Sequence, residues 1–499
     1  MNDRIFLASD YHWSTSHLRN RIKPHFLDFD HYPEPFKAYD AIKKIGFPKA
    51  IDPAKKDLID LFSEIGSGKP GRRFEPASLS KVLFLSYGVT RAETSGKISF
   101  FSRTVPSAGG LYPCHIYLIV RHMEGFETGV YYCDMRQESL ILIQRGSFSE
   151  GDDKTLDISF VITGSFFNSA WKYRERAFRY LLLDSGHLIE NLFLALKAEG
   201  LCSRADYAFD DDKISALLSL DNEKEVPLAC IHSGGKERKP GKRFEGGLNL
   251  SGPCSKEIKK ERQEISYPIL NHIYELGKPG FKNGSVDPES VNVLTLESEG
   301  PISFLNFEMV KAPLDYEKAV FSRRSKRNFI TEFLDRKKAS VLMEAAAGLH
   351  PEIGHLSTRA RTFLILGVSL QNVEGFDDGF YLFSEGTSSL HMIRNGRFHG
   401  PLSRVCLDQQ WISNASLNFL FMANLSGLEK AFGPRGYRLI LMEAGRIAQR
   451  IYLAATGLGL GCCGVGALYD EEAQALFDLN PDSALFYVVA AGRIKGKER

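Results

Sequence analysis

The chain has 499 residues, enough for two or three domains with sizeable cores. A formal net charge of +2 argues against a general attraction to nucleic acid or an anionic membrane, and 43% apolar with 25% charged residues suits an ordinary globular protein. The opening MNDRIFLASDYHWS lacks the basic start and apolar run of a signal peptide. No apolar run reaches the roughly 18 residues of a membrane span. The eight cysteines show no CxxC and no zinc spacing. The expectation is a protein of the reducing cytoplasm with no metal, no nucleic acid and no membrane.

In chain order, the first phosphate-loop lookalike is IGSGKPG (65–71), which lacks the P-loop spacing and its Ser/Thr and reads as a surface turn. RTVPSAGGLYPCHIYLIV (103–120) follows, a small-residue loop running into a β-branched, aromatic strand. The segment at 123–146 then recurs without gaps at 373–396, so that Gly125, Phe126, Gly129 and Tyr131 return as Gly375, Phe376, Gly379 and Tyr381. A second match, 259 residues apart, begins at Arg179 and at Arg438; each copy holds a helix-period segment, a Gly-bearing turn and an acidic helix start. The chain therefore divides into halves of 1–235 and 270–499. Residues 236–269, rich in charge, Gly and Ser, read as an exposed linker. Strand-like and helix-like segments mix without βαβ alternation, which favours an α+β fold. Two fused copies are expected to imitate a two-fold dimer within one chain.

RRSKRNF (323–329) resembles the N-terminal flavin-binding motif of the nitroreductase fold. PSAGGLYP with its strand, WKYRERAFRYLLLDSGHLIENL (171–192), YHWSTSH and YPEPFKAYD resemble the SagB-type dehydrogenases, the azoline oxidases of thiazole- and oxazole-containing peptide biosynthesis. The resemblance covers nearly the whole chain as two nitroreductase-like domains. It implies FMN at the interface between the two, each FMN touching both.

On that resemblance, Arg323, Ser325 and Arg327 match the positions that hold the phosphate, ribityl chain and pyrimidine edge. Their alternation after Ser322 fits the first turn of a helix, where anions are favoured. Arg493 and Lys495 match the C-terminal phosphate contacts. GCCGVGAL (461–468) matches the loop whose backbone faces flavin N5, with Val465 and Gly466 at the key positions. The first half has Gly68, Pro70 and Arg72 opposite the three RRSKR positions, and Tyr207 opposite Gly466. Conversely, Pro106, Ser107, Gly109 and Gly110 face Leu356, Ser357, Arg359 and Ala360.

These losses are complementary. The PSAGG loop (Pro106, Ser107, Ala108, Gly109, Gly110) of the first half is expected to cover one FMN held by the second half. A single FMN per chain follows, with Arg359 filling part of a degenerate second site. The resemblance also implies that Lys172–Tyr173 is the catalytic pair taking the substrate proton; the second half has Ala431–Phe432 there. His115 stands where the family loop often carries glutamate. Asp184 and Glu443 occupy equivalent helix positions and read as interface hydrogen-bonders. GLGCCG (459–464) satisfies GxGxxG but follows a helix, so a dinucleotide site is not expected. Cys462–Cys463 reads as packed rather than redox-active.

The implied function is oxidation of a thiazoline, oxazoline or similar peptide-derived substrate, with electrons passed to oxygen and a cyclodehydratase as a possible partner. The alternative is an NAD(P)H-dependent reductase of nitro, quinone or enone substrates.

Overall fold

The computed structural model describes residues 6–22, 25–47, 56–63, 74–96, 98–148, 157–233, 244, 247–258, 264–278, 291–295, 304–306, 314–347, 359–384 and 389–496. Gly68, Pro70, Arg72, Leu356, Ser357 and the IGSGKPG segment lie outside them.

Two mixed α+β halves are built on sheets of matching order. The path of the first sheet runs Leu248–Cys254, Ser139–Phe148, Gly129–Asp134, Cys114–Val120, Ile158–Ser165, Glu225–Ser233, Ser203–Asp206. The second runs Phe304–Asn306, Ser389–Asn395, Gly379–Phe383, Ile365–Leu370, Leu417–Asn424, Ser483–Gly492, Gly461–Val465. All pairings are antiparallel. The central strand Cys114–Val120 is buried at every position, which explains its unbroken apolar run. Within 236–269, residues 248–254 pair with Ser139–Phe148, and Lys256–Glu257 pair with Tyr39–Asp40.

A long helix lies in each half, Ala177–Ala198 and Arg435–Gly457. The first is buried along its whole length and the second through Ala455, because each is packed on several sides. They cross at Gly186 and Gly445, residues 259 apart like the sequence repeat. A Cβ on Gly186 would strike the Met442 carbonyl oxygen and sit 2.9 Å from Gly445 Cα. A Cβ on Gly445 would strike the Leu183 carbonyl oxygen and sit 3.0 Å from Gly186 Cα. Two equivalent residues touching each other mark a pseudo-two-fold axis. Gly445→Ala is expected to spread the helices and lower stability by about 1–3 kcal/mol; an unchanged urea midpoint would contradict this close contact.

Ion pairs repeat the symmetry. Arg176 and Arg179 of the first half reach Asp470 of the second at 2.7 and 2.8 Å. Their counterparts Arg435 and Arg438 reach Asp211 of the first half, Arg438 at 2.9 Å. Both aspartates are buried and stand at acidic helix starts visible in the sequence. Among the described residues, no helix is long and apolar enough to cross a membrane.

Candidate functional site

The PSAGG loop leaves the hairpin Val89–Ser95/Ile98–Arg103 and turns through Ala108–Gly110. Gly109 and Gly110 have φ of 65° and 69°, a region that side chains other than glycine's rarely occupy. Gly109 also lies tight against Lys172 and Tyr173: a Cβ there would be 3.0 Å from Tyr173 Oη and 3.1 Å from Lys172 Cδ.

RRSKR is not the start of a helix. The helix Tyr316–Ser322 ends before it, and Arg323 caps its C-terminus with ψ of 127°. The residues that follow form neither helix nor strand; the Lys326 amide donates to the Cys462 carbonyl at 2.9 Å and Phe329 is bridged to Ile494. GCCGV, expected as a loop, is an edge strand paired with Ser483–Gly492, and Val465 is its last residue.

These segments converge on one open cleft between the halves, with a volume of about 680 Å³ including its mouth. The first half contributes Pro106, Ser107, Ala108, Gly109 and Tyr173; the second contributes Ser325, Arg327, Val465 and Gly466. Gly110, Lys172, Arg323, Arg493 and Lys495 do not line it. Arg493 pairs with Glu332 at 3.1 Å, and the Lys495 amide donates to Asn328, both beside the RRSKRNF segment.

Arg323 is buried and joins the two halves. Its Nε donates to the Thr104 carbonyl at 2.8 Å, and its Nη2 to the Arg103 and Val105 carbonyls at 2.8 and 3.1 Å. It therefore anchors the root of the PSAGG loop. Its Nη1 is buried without a hydrogen-bond partner.

Lys172 is half-buried; burial, then the positive charge of Arg327, lowers its pKa. The ring of Tyr173 packs on Tyr180 with centroids 4.2 Å apart, and burial raises its pKa. His115 lies in the core, with Nδ1 3.4 Å from Tyr132 Oη, and burial holds its pKa down at about 4. Asp184 bonds within its own half rather than across the interface, to Ser107 and Ala108. A Cβ on Gly466 would meet Tyr180 at 2.9 Å, so Tyr180 also demands glycine there.

The sequence reading missed Tyr180, His187, Tyr452 and Tyr487, which also line the cleft. Tyr452 Oη accepts the Gly464 amide at 2.6 Å and lies 3.2 Å from Ser325 Oγ, connecting both second-half motifs. His187 bridges Gln449 at 2.8 Å and Tyr487 Oη at 3.1 Å. The usable signal was divergence between repeats: at the 259-residue offset these four face Leu439, Arg446, Phe193 and Leu228.

Among the described residues, the symmetry-related positions on the other side of the axis carry different side chains. Arg446, counterpart of His187, pairs with Glu190 at 2.9 Å and Glu443 at 2.8 Å, beside Tyr207. Arg359 lies 5.2 Å from the ring centroid of Phe432, the counterpart of Tyr173. All eight cysteines are free, and no cluster among the described residues suits a metal ion.

The nitroreductase family model matches residues 89–235 and 320–493. The chain is 31% identical over 166 residues, 33% of its length and 84% of the relative's, to MJ1384 of Methanocaldococcus jannaschii, which is named as a nitroreductase. It is 28% identical over 166 residues to the trifolitoxin-processing protein TfxB of Rhizobium leguminosarum bv. trifolii, covering 30% of this chain and 44% of TfxB. A structure from Anabaena variabilis, titled as a nitroreductase, superposes with a TM-score of 0.75 at 24% identity over 98% of this chain and 99% of its own. With the family model matched in both halves, and with paired sheets about one pseudo-two-fold axis, the chain belongs to the nitroreductase family.

Proposed function

We propose that the protein is an FMN-dependent dehydrogenase that oxidises an azoline or similar peptide-derived ring in the cleft between its halves. The observation carrying this reading is the meeting of Tyr173 and the PSAGG loop with Ser325, Arg327, Val465 and Gly466 in one cleft. Two features fit the cofactor. The Arg323 Nη1 is a buried, unpartnered cationic donor suited to a phosphate oxygen. Ser325, Arg327 and the Val465–Gly466 backbone offer further polar groups along the cleft. In this reading Arg323 serves the phosphate from behind the cleft wall together with Arg493 and Lys495 at the far end of the same segment, and the Pro106–Gly110 loop covers the ring.

Bound FMN would supply a two-electron acceptor that takes hydride. The chain supplies the base. Lys172, its pKa lowered by burial and Arg327, is the group that accepts the substrate proton, and Tyr173 orients it. Removing that proton and a hydride from adjacent ring atoms leaves a double bond and an aromatic azole. The Ser107 hydroxyl is already engaged with Asp184, so the loop presents backbone rather than that hydroxyl to the ring.

The similarity to MJ1384 favours a second reading, an NAD(P)H-dependent reductase. Anaerobic mixing separates the two. A thiazoline- or oxazoline-containing peptide should bleach the flavin absorbance, and oxygen should restore it. Bleaching by NADH or NADPH, with none by either azoline, would overturn the dehydrogenase reading.

A further inference from the structure

We infer that Asp184 is a positioning residue that latches the PSAGG loop against the Lys172–Tyr173 pair. Its carboxylate faces the cleft from the long helix Ala177–Ala198. Oδ2 accepts the Ser107 hydroxyl at 2.5 Å, and Oδ1 accepts the Ala108 amide at 3.1 Å. Ser107 Oγ in turn accepts the Tyr112 amide at 2.9 Å, so one carboxylate ties both sides of the turn to a rigid helix. The latch reaches the proposed base through contact, since Gly109 is the next residue and packs against Tyr173 Oη and Lys172 Cδ. A loop released from Asp184 would free the wall that fixes that pair.

The arrangement is one-sided in the repeat. Glu443, the counterpart of Asp184, pairs with Arg446 instead. Among the described residues, Asp184 pairs with no cation and its hydrogen bonds go to Ser107 and Ala108 of the loop. Burial, opposed by the Ser107 and Ala108 bonds, pushes its pKa up to about 7. Tyr87, Cys114, Tyr173 and Tyr487 interact with it electrostatically, and burial raises the pKa of each, so they stay neutral near pH 7; His187, whose pKa burial lowers to about 3, and the Arg327 guanidinium line the same cleft. Ionised Asp184 accepts both loop bonds. Protonated, it competes with the Ser107 hydroxyl as a donor and grips less well.

The inference rests on the proposed function only for the importance of Lys172–Tyr173; the latch is tested without flavin chemistry. Amide hydrogen exchange of the full chain, corrected for intrinsic rates, is followed over residues 105–112 between about pH 6 and about pH 8. Asp184→Ala should lose about tenfold or more of the loop's protection, as a broken hydrogen bond implies. Asp184→Asn, which keeps one acceptor, should recover part of it and lack the rise in protection that the parent shows through about pH 7. Should Asp184→Ala not fold, Ser107→Ala should give a several-fold loss confined to the loop. Protection unchanged in Asp184→Ala, or in Ser107→Ala in its place, would overturn the latch, as would a pH step persisting in Asp184→Asn. A protein that binds no flavin would instead sink the proposed function and leave these exchange results standing.

Discussion

Lys172→Ala should retain flavin and lose between about 10² and about 10⁴ of the turnover, the usual worth of a positioned acid–base group. Under the proposed mechanism its loss removes the proton acceptor, and because the lysine does not line the cleft wall it takes away no cofactor contact. Only its neutral form accepts a proton. Its lowered pKa therefore puts the rising limb of the pH–rate profile below the ordinary lysine range. Arg327 contributes to that lowering through its charge. Arg327→Gln, assayed at saturating FMN, should favour protonated Lys172 and move the limb to higher pH. Stopped-flow flavin reduction across pH checks both variants. Unchanged turnover in Lys172→Ala would remove the lysine from the mechanism.

Asp470→Ala should destabilise the chain by about 3–5 kcal/mol, since it strands buried charges. Asp470 holds Arg176 at 2.7 Å and Arg179 at 2.8 Å, and accepts the His17 amide at 3.0 Å. His12 Nε2 lies 3.5 Å away. All but the half-buried His17 are buried, so water does not readily replace the lost carboxylate. Burial would raise its pKa, but the two guanidiniums hold it well below the usual carboxylate range. The sign follows: a depressed folded pKa gives stability that is present above about pH 4 and is lost as pH falls through the folded value. Asp470→Asn should therefore be less stable at neutral pH and lose less on acidification. Urea midpoints at neutral and acid pH measure both; a neutral-pH loss under about 1 kcal/mol would mean the cluster does not hold the halves together.

The legible parts of the fold were those written twice. Offsets of 250 and 259 residues gave the two halves, and the same offsets relate six strands of each sheet, the outer Leu248–Cys254 and Phe304–Asn306 excepted, and the glycines at the helix crossing. Asp211 and Asp470 were visible as acidic helix starts, but their partners, four arginines in the opposite half, emerge only from three-dimensional packing. The cleft was legible as an asymmetry, with each half keeping motifs that the other lacks.

Local conformation was harder to read. Arg323, Ser325 and Arg327 follow a helix, and a basic run suggested a helix start; the segment instead joins that helix to the bridge between Phe329 and Ile494. GCCGV looked like a glycine loop because its small residues hide a strand that borrows its order from Ser483–Gly492. His187 and Tyr452 sit inside long buried helices, where a lone polar residue gives no pattern. Comparing the repeats position by position would have exposed them.

The central proposal is that one cofactor site is assembled from both halves, while at the symmetry-related positions Arg446 pairs with Glu190 and Glu443. The most direct measurement is the flavin released by denaturing the purified, FMN-saturated protein, counted per chain. One FMN per chain is expected, and Arg323→Ala should lower the occupancy. Two FMN per chain, or none, would contradict a single split site.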